Sequence, residues 1–234
     1  MSSYFDHFII VKFFNIFFSD SLVIMVSTII LYVLIFKSST LVPSDYQFIF
    51  NKIYNHWSSV VIENLGREYK FFIFPLLTLF SFILGVNLLG FFLFTLPTTT
   101  HISITFGIAL SLWLGVVIFG VYKFGLSYFS IFMPSGAPIG LAPLLIIIEL
   151  ASHISRPIAL GMRLAANLTA GHILLSILGD FSIKLLLISP SLPSFFPILI
   201  IIFMVVLEIG VLIIQAYVFT LLLLIYLKDS LILH

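Results

Sequence analysis

The sequence predicts an all-α polytopic membrane protein: one N-terminal transmembrane helix, an amphipathic surface helix, a helical hairpin and two long, steeply tilted helices. Three observations predict this class. Of the 234 residues, 62% are hydrophobic and only 8% are charged, whereas soluble domains carry roughly a quarter charged residues. The mean hydropathy is +1.29. Residues 71–122 contain no Lys, Arg, Asp or Glu, which is enough for two spans of about 20 residues each.

Charge and cysteine content exclude several classes of function. The formal net charge is +1 and the basic residues form no cluster, so we expect no binding of nucleic acid. The chain contains no cysteine, which excludes disulfides and cysteine-based metal sites. We expect no cofactor, no metal ion and no nucleotide site in this chain. A cleaved secretory signal is not expected either, because Lys12 interrupts a phenylalanine-rich stretch without a small-residue cleavage site after it.

Residues 1–42 are predicted to hold the first transmembrane helix, and residues 43–70 a surface helix. The first span is SLVIMVSTIILYVLIF, residues 21–36, between Asp20 and Lys37. The surface helix begins near Pro43 and can stop at Gly66. Its apolar residues recur at helical spacing, which is typical of an amphipathic helix lying on a membrane; they are Tyr46, Ile49, Phe50, Ile53, Trp57, Val60 and Val61.

Residues 71–125 are predicted to form a transmembrane hairpin, and residues 126–142 a connector. Two apolar helices, 71–96 and 102–122, are joined by the turn LPTTTHIS. Beyond them the sequence YKFGLSYFSIFMPSGAPIG is punctuated by Gly, Pro and Ser, which favours a loop over a further span.

Residues 143–234 are predicted to form two long helices separated by SPSLPSFFP, a firm break. As one helix, residues 143–187 would reach about 67 Å, against a hydrocarbon core of roughly 30 Å. An upright helix is therefore excluded, which leaves a steeply tilted helix, with its axis closer to the membrane plane than to the normal, or a helix hairpin. Pro157, Gly161 and Gly171 can bend a helix without ending it. The last helix is expected from about residue 197 to 227.

The cations that flank the spans predict the topology, because Lys and Arg accumulate on the inner side of a membrane. Five crossings place them all on one side, with the N-terminus outside and the C-terminus inside. These cations are Lys37, Lys52, Arg67, Lys70, Lys123 and Lys228.

Polar and ionisable residues at membrane depth are the candidate site. Each ionisable one costs about 2.5 to 3.5 kcal/mol on insertion and marks a functional site by default. On an ideal helix, measured from Arg163, Arg156 and Ser152 lie within about 20°, and Glu149 and Asn167 within about 40°. This makes one polar stripe centred on Arg163.

Three further candidates lie off this stripe or on the last helix. His172 falls about 180° from Arg163 and should meet a different neighbour, while Glu208 and Gln215, seven residues apart, share one face of an otherwise apolar helix.

Structural explanations compete with the functional one. Long side chains can extend to the headgroups, which fits Arg156 and Lys184. Asn167 and Gln215 can join helices to each other. His153 and His172 can be hydrogen-bonded interior histidines. Arg163 is the exception, because it lies seven residues beyond Pro157 and too deep to reach a headgroup in an embedded helix.

Two motifs carry a resemblance to a known family. RPIALGMRLAANLTAGH followed, after the proline break, by LEIGVLIIQAYVFTLLLLIYL resembles subunit a of F-type ATP synthases, and the mitochondrial form most of all. The resemblance covers roughly residues 71–228, whereas the N-terminal 70 residues match in layout only. It implies a non-catalytic stator subunit that forms two offset proton half-channels against a rotor ring of c subunits and couples proton flow to rotation.

The resemblance also implies roles for single residues. Arg163 corresponds to the essential arginine that faces the ring carboxylate and separates the half-channels. Asn167, His172, Glu208 and Gln215 match the half-channel from the energised side. Glu149, Ser152 and Ser155 match the half-channel toward the catalytic head. The sequence departs from many bacterial members, since acid and histidine are exchanged at His172 and Glu208 and Gly90 replaces an acid; Asn87 and His101 are the candidates left for the outer entrance, and His153 has no role in the family pattern.

The implied partners are the c-ring, the other stator and peripheral-stalk subunits and membrane lipid, in the mitochondrial inner membrane, and the implied arrangement is compatible with a dimer of the whole complex. A proton- or ion-coupled secondary transporter is the alternative. Such a transporter predicts an internal repeat with matching broken helices, and five crossings do not divide into two equal halves.

Overall fold

A computed structural model describes residues 12–13, 18–19, 25–30, 32, 45–92, 101–132, 142–188 and 196–231. Two short strands, β1 (Lys12–Phe13) and β2 (Phe18–Ser19), pair antiparallel. Residues 25–30 and 32 are helical, and the rest of the predicted span 21–36 lies outside the described residues. The Tyr32 hydroxyl donates to the Ser81 carbonyl and ties this helical segment to the next span.

Helix α1 (Asp45–Leu65) coincides with the predicted surface helix. Its apolar side is anchored by Trp57 and Val61, both fully buried. The predicted stop at Gly66 is confirmed: its φ of 89° lies in the region that glycine tolerates best. The 3-10 helix Arg67–Phe72 follows and leads directly into the next span.

The predicted hairpin comprises α2 (Ile73–Phe92) and α3 (Ile102–Phe124), with residues 93–100 outside the described part of the chain. Helix α3 ends at Gly125, whose φ is 56° and whose N–H donates to the Val121 carbonyl. The 3-10 helix Gly125–Phe132 occupies the start of the predicted connector. The two helices of the hairpin pack mainly on the long C-terminal helices rather than on each other.

Helix α4 (Ala142–Ile188) resolves the choice left open by the sequence, because its 47 residues form one helix and not a helix hairpin. At 1.5 Å per residue it is about 70 Å long. Pro157 lies inside it and is buried. Helix α5 (Phe196–Leu231) has 36 residues and packs against α2, α3 and α4.

The core lies where all five labelled helices meet. One cluster joins Trp57 of α1, Phe80 of α2, Ala109 of α3, Leu164 of α4 and Phe219 of α5. A second cluster lies between the start of α2 and the ends of α3 and α5.

Four helical stretches in the described ranges are long and apolar enough to cross a membrane: Arg67–Phe91, Ile102–Phe132, Pro143–Leu187 and Phe196–Leu231. Many large apolar side chains on them face outward, among them Phe74, Ile118, Ile147 and Ile214. A protein surface of this kind is stable in lipid rather than in water. The predicted all-α polytopic class is confirmed; the first of the five predicted crossings lies mostly outside the described residues.

Candidate functional site

Arg163 lies near the middle of α4, next to the buried residues Leu164 and Ala165. Its own side chain is only partly buried. Within the described ranges it forms no ion pair and no side-chain hydrogen bond. A permanently charged guanidinium in an apolar helix therefore has no ion-pair or hydrogen-bond partner from the described part of its own chain.

The surface beside Arg163 is exposed and built mostly of small side chains, with Met162 as its large one. Along α4 the exposed residues of this surface recur every three or four positions, so that they share one helix face. They are Ala151, Ser155, Ala159, Met162, Ala166 and Ala170. We call them the small-residue face; such faces let another helix approach closely in a membrane.

Three contacts of polar side chains join α4 to α5 in the described part of the chain, and the central one is a hydrogen bond. The Asn167 amide nitrogen donates to the Gln215 side-chain oxygen at 2.9 Å. Gln215 is 6% exposed. The sequence left open whether Asn167 and Gln215 belong to a proton path or hold two helices together. The structure shows a hydrogen bond between them that joins α4 to α5, one helical turn from Arg163.

The hydrogen bond predicts a measurable coupling between Asn167 and Gln215. Asn167→Leu and Gln215→Leu should each lower the melting temperature of the purified assembled complex, because each removes the hydrogen bond between the two helices, and Asn167→Leu also leaves the buried Gln215 amide without its partner. The double variant should lose less than the sum, with a coupling of about 0.6 kcal/mol, the average for membrane-protein hydrogen bonds. Scanning calorimetry on the four proteins of the double-mutant cycle measures it.

Asn64 offers the matched control, because its side chain donates only to the Val60 carbonyl of its own helix, at 2.9 Å. Asn64→Leu combined with Gln215→Leu should be additive. Additivity in the Asn167 and Gln215 cycle as well would contradict the prediction.

The second contact places Glu208 against the backbone of Gly171. Glu208 is 6% exposed, and neither carboxylate oxygen has a hydrogen-bond partner among the described residues. A Cβ added at Gly171 would lie 2.8 Å from the Glu208 carboxyl carbon. The absence of a side chain at Gly171 is therefore what admits the carboxylate, since real Cβ atoms do not approach that closely.

His172, the residue after Gly171, is partly buried, and its Nε2 atom is buried without a hydrogen-bond partner within the described ranges. Its ring lies 6.0 Å from the ring of Phe91 on α2, measured between centroids. Glu208 and His172 thus both lie where α5 approaches α4 closely, Glu208 against Gly171 and His172 one residue further along α4. Buried ionisable groups without a protein partner are rare in native structures and are a signature of function in membrane spans.

The third contact is an ion-pair cluster near the opposite end of α5. Arg156 Nη1 lies 3.0 Å from Asp229 Oδ2, and Arg156 Nη2 lies 3.7 Å from Glu149 Oε1. The guanidinium carbon also lies 5.1 Å from the centre of the Tyr226 ring. The side chain of Arg156 is therefore held between α4 and α5, and it is not simply extended to the headgroups as the sequence allowed.

Asp229 and Tyr226 were missed by the sequence reasoning. A signal for Asp229 was present: Glu208 and Gln215 are seven residues apart, and two further steps of seven reach Asp229. Residues at this spacing share one face of a helix.

The structure does not bring the remaining sequence-predicted residues into one cluster. Ser152 is partly buried one turn from Glu149. The Ser155 hydroxyl donates to the Ser152 carbonyl at 2.8 Å, within the same helix. Asn87 is fully buried in α2, and His101 precedes α3 with its carbonyl accepting from the Ile104 N–H at 3.0 Å. The roles of Asn87 and His101 as an outer entrance stay predictions.

His153 is a hydrogen-bonded interior histidine. The Trp113 indole N–H donates to His153 Nδ1 at 3.0 Å, and the Tyr128 hydroxyl lies 3.5 Å from Nε2. Both nitrogens of His153 are thus engaged, in contrast to His172, and His153 serves to join α3 and the 3-10 helix after it to α4.

Comparison with known proteins gives two findings. The family model described as ATP synthase A chain matches residues 17–228. The chain is also similar to ATP synthase subunit a of Metridium senile, with 42% identity over 233 residues that cover 100% of this chain and 99% of that protein.

Proposed function

Because this chain belongs to the ATP synthase A chain family, we propose that it is the stator subunit of the proton channel of a rotary F-type ATP synthase in the mitochondrial inner membrane. It forms two offset proton half-channels against the c-ring and couples proton flow to ring rotation. The observation that carries this proposal is Arg163, a fixed charge without a partner in the described chain, beside an exposed face suited to another helix. Family membership favours this function over an ion-coupled secondary transporter.

The guanidinium explains how a ring carboxylate releases its proton. A carboxylate is expensive to bury in lipid as an anion, so a ring site travels through lipid protonated and must meet a cation where it ionises. Arginine suits the position where the ring carboxyl group ionises, because its guanidinium stays charged at any working pH and presents a planar pair of donors to a carboxylate. Arg163 pairs with the ionised ring site and at the same time repels protons that would pass directly between the half-channels.

The polar residues on either side of Arg163 form the two half-channels. His172 and Glu208, with Asn167 and Gln215, line the path from the energised side to the ring. Glu149, Ser152 and Ser155 line the path from the ring toward the catalytic head. Each proton that crosses a potential of 100 mV releases about 2.3 kcal/mol, so several protons drive each ATP made in another subunit; this chain itself is non-catalytic.

The small-residue face of α4 is the surface that we assign to the c-ring. Helices in membranes approach closely where their side chains are small, and this face borders Arg163. With α4 steeply tilted, the whole face follows the flank of the ring at nearly constant depth. The other partners are the remaining stator and peripheral-stalk subunits and the surrounding lipid.

Cysteine cross-linking tests this arrangement, because the chain has no cysteine of its own. Ala166→Cys, exposed on the small-residue face, should form a disulfide with a cysteine placed one turn from the ring carboxylate of the assembled complex. Ala165→Cys is the matched control: Ala165 is the neighbouring residue but only 2% exposed, and it should not cross-link. Cross-linking that favours Ala165→Cys would refute the assigned face.

The same assay measures the tilt of α4. Ser155 and Ala170 lie about 22 Å apart along the helix axis. If the helix lies closer to the membrane plane than to the normal, cysteines at both positions should react with ring cysteines at similar depth. An upright helix would require ring cysteines separated by about that full distance.

A further inference from the structure

We infer that the groove between α2, α3 and α5 binds one acyl chain of an anionic phospholipid, whose headgroup is held by lysines at the groove's end. The groove is a cavity of about 550 Å³, which about eighteen water-sized units would fill. Its walls include Leu79, Phe82, Leu112, Val116, Leu223 and Leu227.

The groove is apolar and reaches the surface of the protein. Thr78 is the polar side chain among its lining residues, and its hydroxyl already donates to the Pro75 carbonyl at 2.9 Å. Pro75 and Thr78 are exposed, so the groove opens on the outer side of α2, within a stretch that is apolar enough to cross a membrane. An apolar ligand supplied by the bilayer fits such a groove.

The size of the groove favours an acyl chain over a transmembrane helix. A helix is 10 to 12 Å across, which corresponds to roughly 500 Å³ for each turn. The groove therefore holds about one turn, whereas a span needs about 20 residues. A single extended hydrocarbon chain matches it better.

The charges at one end of the groove select an anionic headgroup. Lys70 precedes Phe72 of the lining by two residues, Lys228 follows Leu227 directly, and Lys123 lies in the last turn of α3. Each of the three helical segments that wall the groove thus brings a lysine to the same end. Basic groups between transmembrane helices bind anionic lipid headgroups.

Two of these lysines are available to a ligand. The side chains of Lys70 and Lys228 form no hydrogen bond or ion pair with the described residues. Lys123 donates to the Tyr69 hydroxyl and lies over the Tyr69 and Phe124 rings, which fixes it at the end of the groove.

The neighbouring acids do not cancel this positive charge. Glu63 and Glu68 are two acids at this end, against four cations, Arg67 and the three lysines. Asp229, next to Lys228, is already paired with Arg156. The excess of positive charge at this end of the groove leaves a site for a phosphate group at the membrane surface.

Photolabelling of the purified assembled complex tests the inference. The probe is phosphatidylglycerol with a diazirine on one acyl chain, and mass spectrometry locates the adducts. Labelling is expected on the stretches 72–82, 112–116 and 223–227, with competition by unlabelled phosphatidylglycerol but not by phosphatidylcholine. Lys70→Gln with Lys228→Gln should raise the half-saturating probe concentration by roughly 25-fold.

Two further variants separate the groove from the charges. Lys52→Gln is the matched control, because Lys52 is exposed on α1 over the Phe48 ring, and it should leave labelling unchanged. Thr78→Phe should reduce labelling by placing a ring in the mouth of the groove while all three lysines remain. Equal labelling by a phosphatidylcholine probe, labelling insensitive to both Lys70 and Lys228, or adducts of another subunit's peptide to a photoreactive residue at position 79 would each overturn the inference.

Discussion

Arg163→Ala is expected to abolish proton-driven ATP synthesis and, at the same time, to let protons leak through the assembled complex. Under the proposed function, both effects follow from one charge. Without the guanidinium, an ionised ring carboxylate has no counter-ion in the stator, so the exchange of protons at the ring stops driving rotation. Without its repulsion, nothing separates the two half-channels, and protons pass between them without turning the ring.

Arg163→Lys separates a general need for positive charge from a need for arginine. An ammonium group is compact, lacks the planar fork and can lose its proton in a low-dielectric site. Synthesis should therefore fall to background in the lysine variant too. The measurement is proton flux and ATP synthesis in vesicles that contain the assembled mutant complex, with assembly checked by the subunit composition.

A purely structural role for Arg163 makes the opposite forecast. Lysine would then be tolerated, and alanine would lower only the amount of assembled complex. An assembled Arg163→Ala complex that makes ATP at a near-normal rate would end the proposal.

Glu208→Gln is expected to slow proton flow by about 100-fold or more without causing a leak, because a positioned proton donor or acceptor typically contributes about 100- to 10,000-fold. Glutamine keeps the shape of the side chain and its fit against Gly171 but cannot pass on a proton. Arg163 still separates the half-channels in this variant, so the vesicles should remain tight. ATP-driven proton pumping and passive proton permeability, measured on the same vesicles, distinguish the two properties.

Glycine substitutions offer an independent route to the same site. Gly171→Ala should also slow pumping, because the new Cβ would lie 2.8 Å from the Glu208 carboxyl carbon and force the carboxylate to move. Gly179→Ala is its matched control in the same helix, since a Cβ there meets nothing within 4 Å among the described atoms. Undiminished pumping in Glu208→Gln would show that Glu208 is not part of the proton path. Equal effects of Gly171→Ala and Gly179→Ala would show that the contact with Glu208 is not the cause of slower pumping.

The class of fold and most helices could be predicted because they depend on local sequence. Long apolar runs and a glycine at position 66 that can end a helix are visible without knowledge of any neighbour. The choice between one helix and a hairpin for residues 143–187 could not be made, because Pro157 is compatible with both. The structure settles it through packing of α4 on α3 and α5, which no local pattern encodes.

The contacts of the candidate site residues could not be predicted from the sequence. Arg156 and Asp229 are 73 positions apart, so their pairing depends on how two helices meet. Gly171 shows the same limit, because its importance comes from a carboxylate on another helix. His153 and His172 look alike in the sequence, and only the neighbours Trp113 and Tyr128 distinguish the bonded histidine from the unbonded one.

The three contacts between α4 and α5 fix the length of a segment as well as its residues. The contacts follow one another along two antiparallel helices, so that residue numbers fall along α4 as they rise along α5. In this order they join Gly171 with Glu208, Asn167 with Gln215, and Arg156 with Asp229. One residue inserted into α5 between Gln215 and Asp229 would turn everything beyond it by about 100° and shift it by about 1.5 Å. The contact between Arg156 and Asp229 would then separate while the other two contacts held, so the spacing of residues along these two helices keeps all three contacts in register.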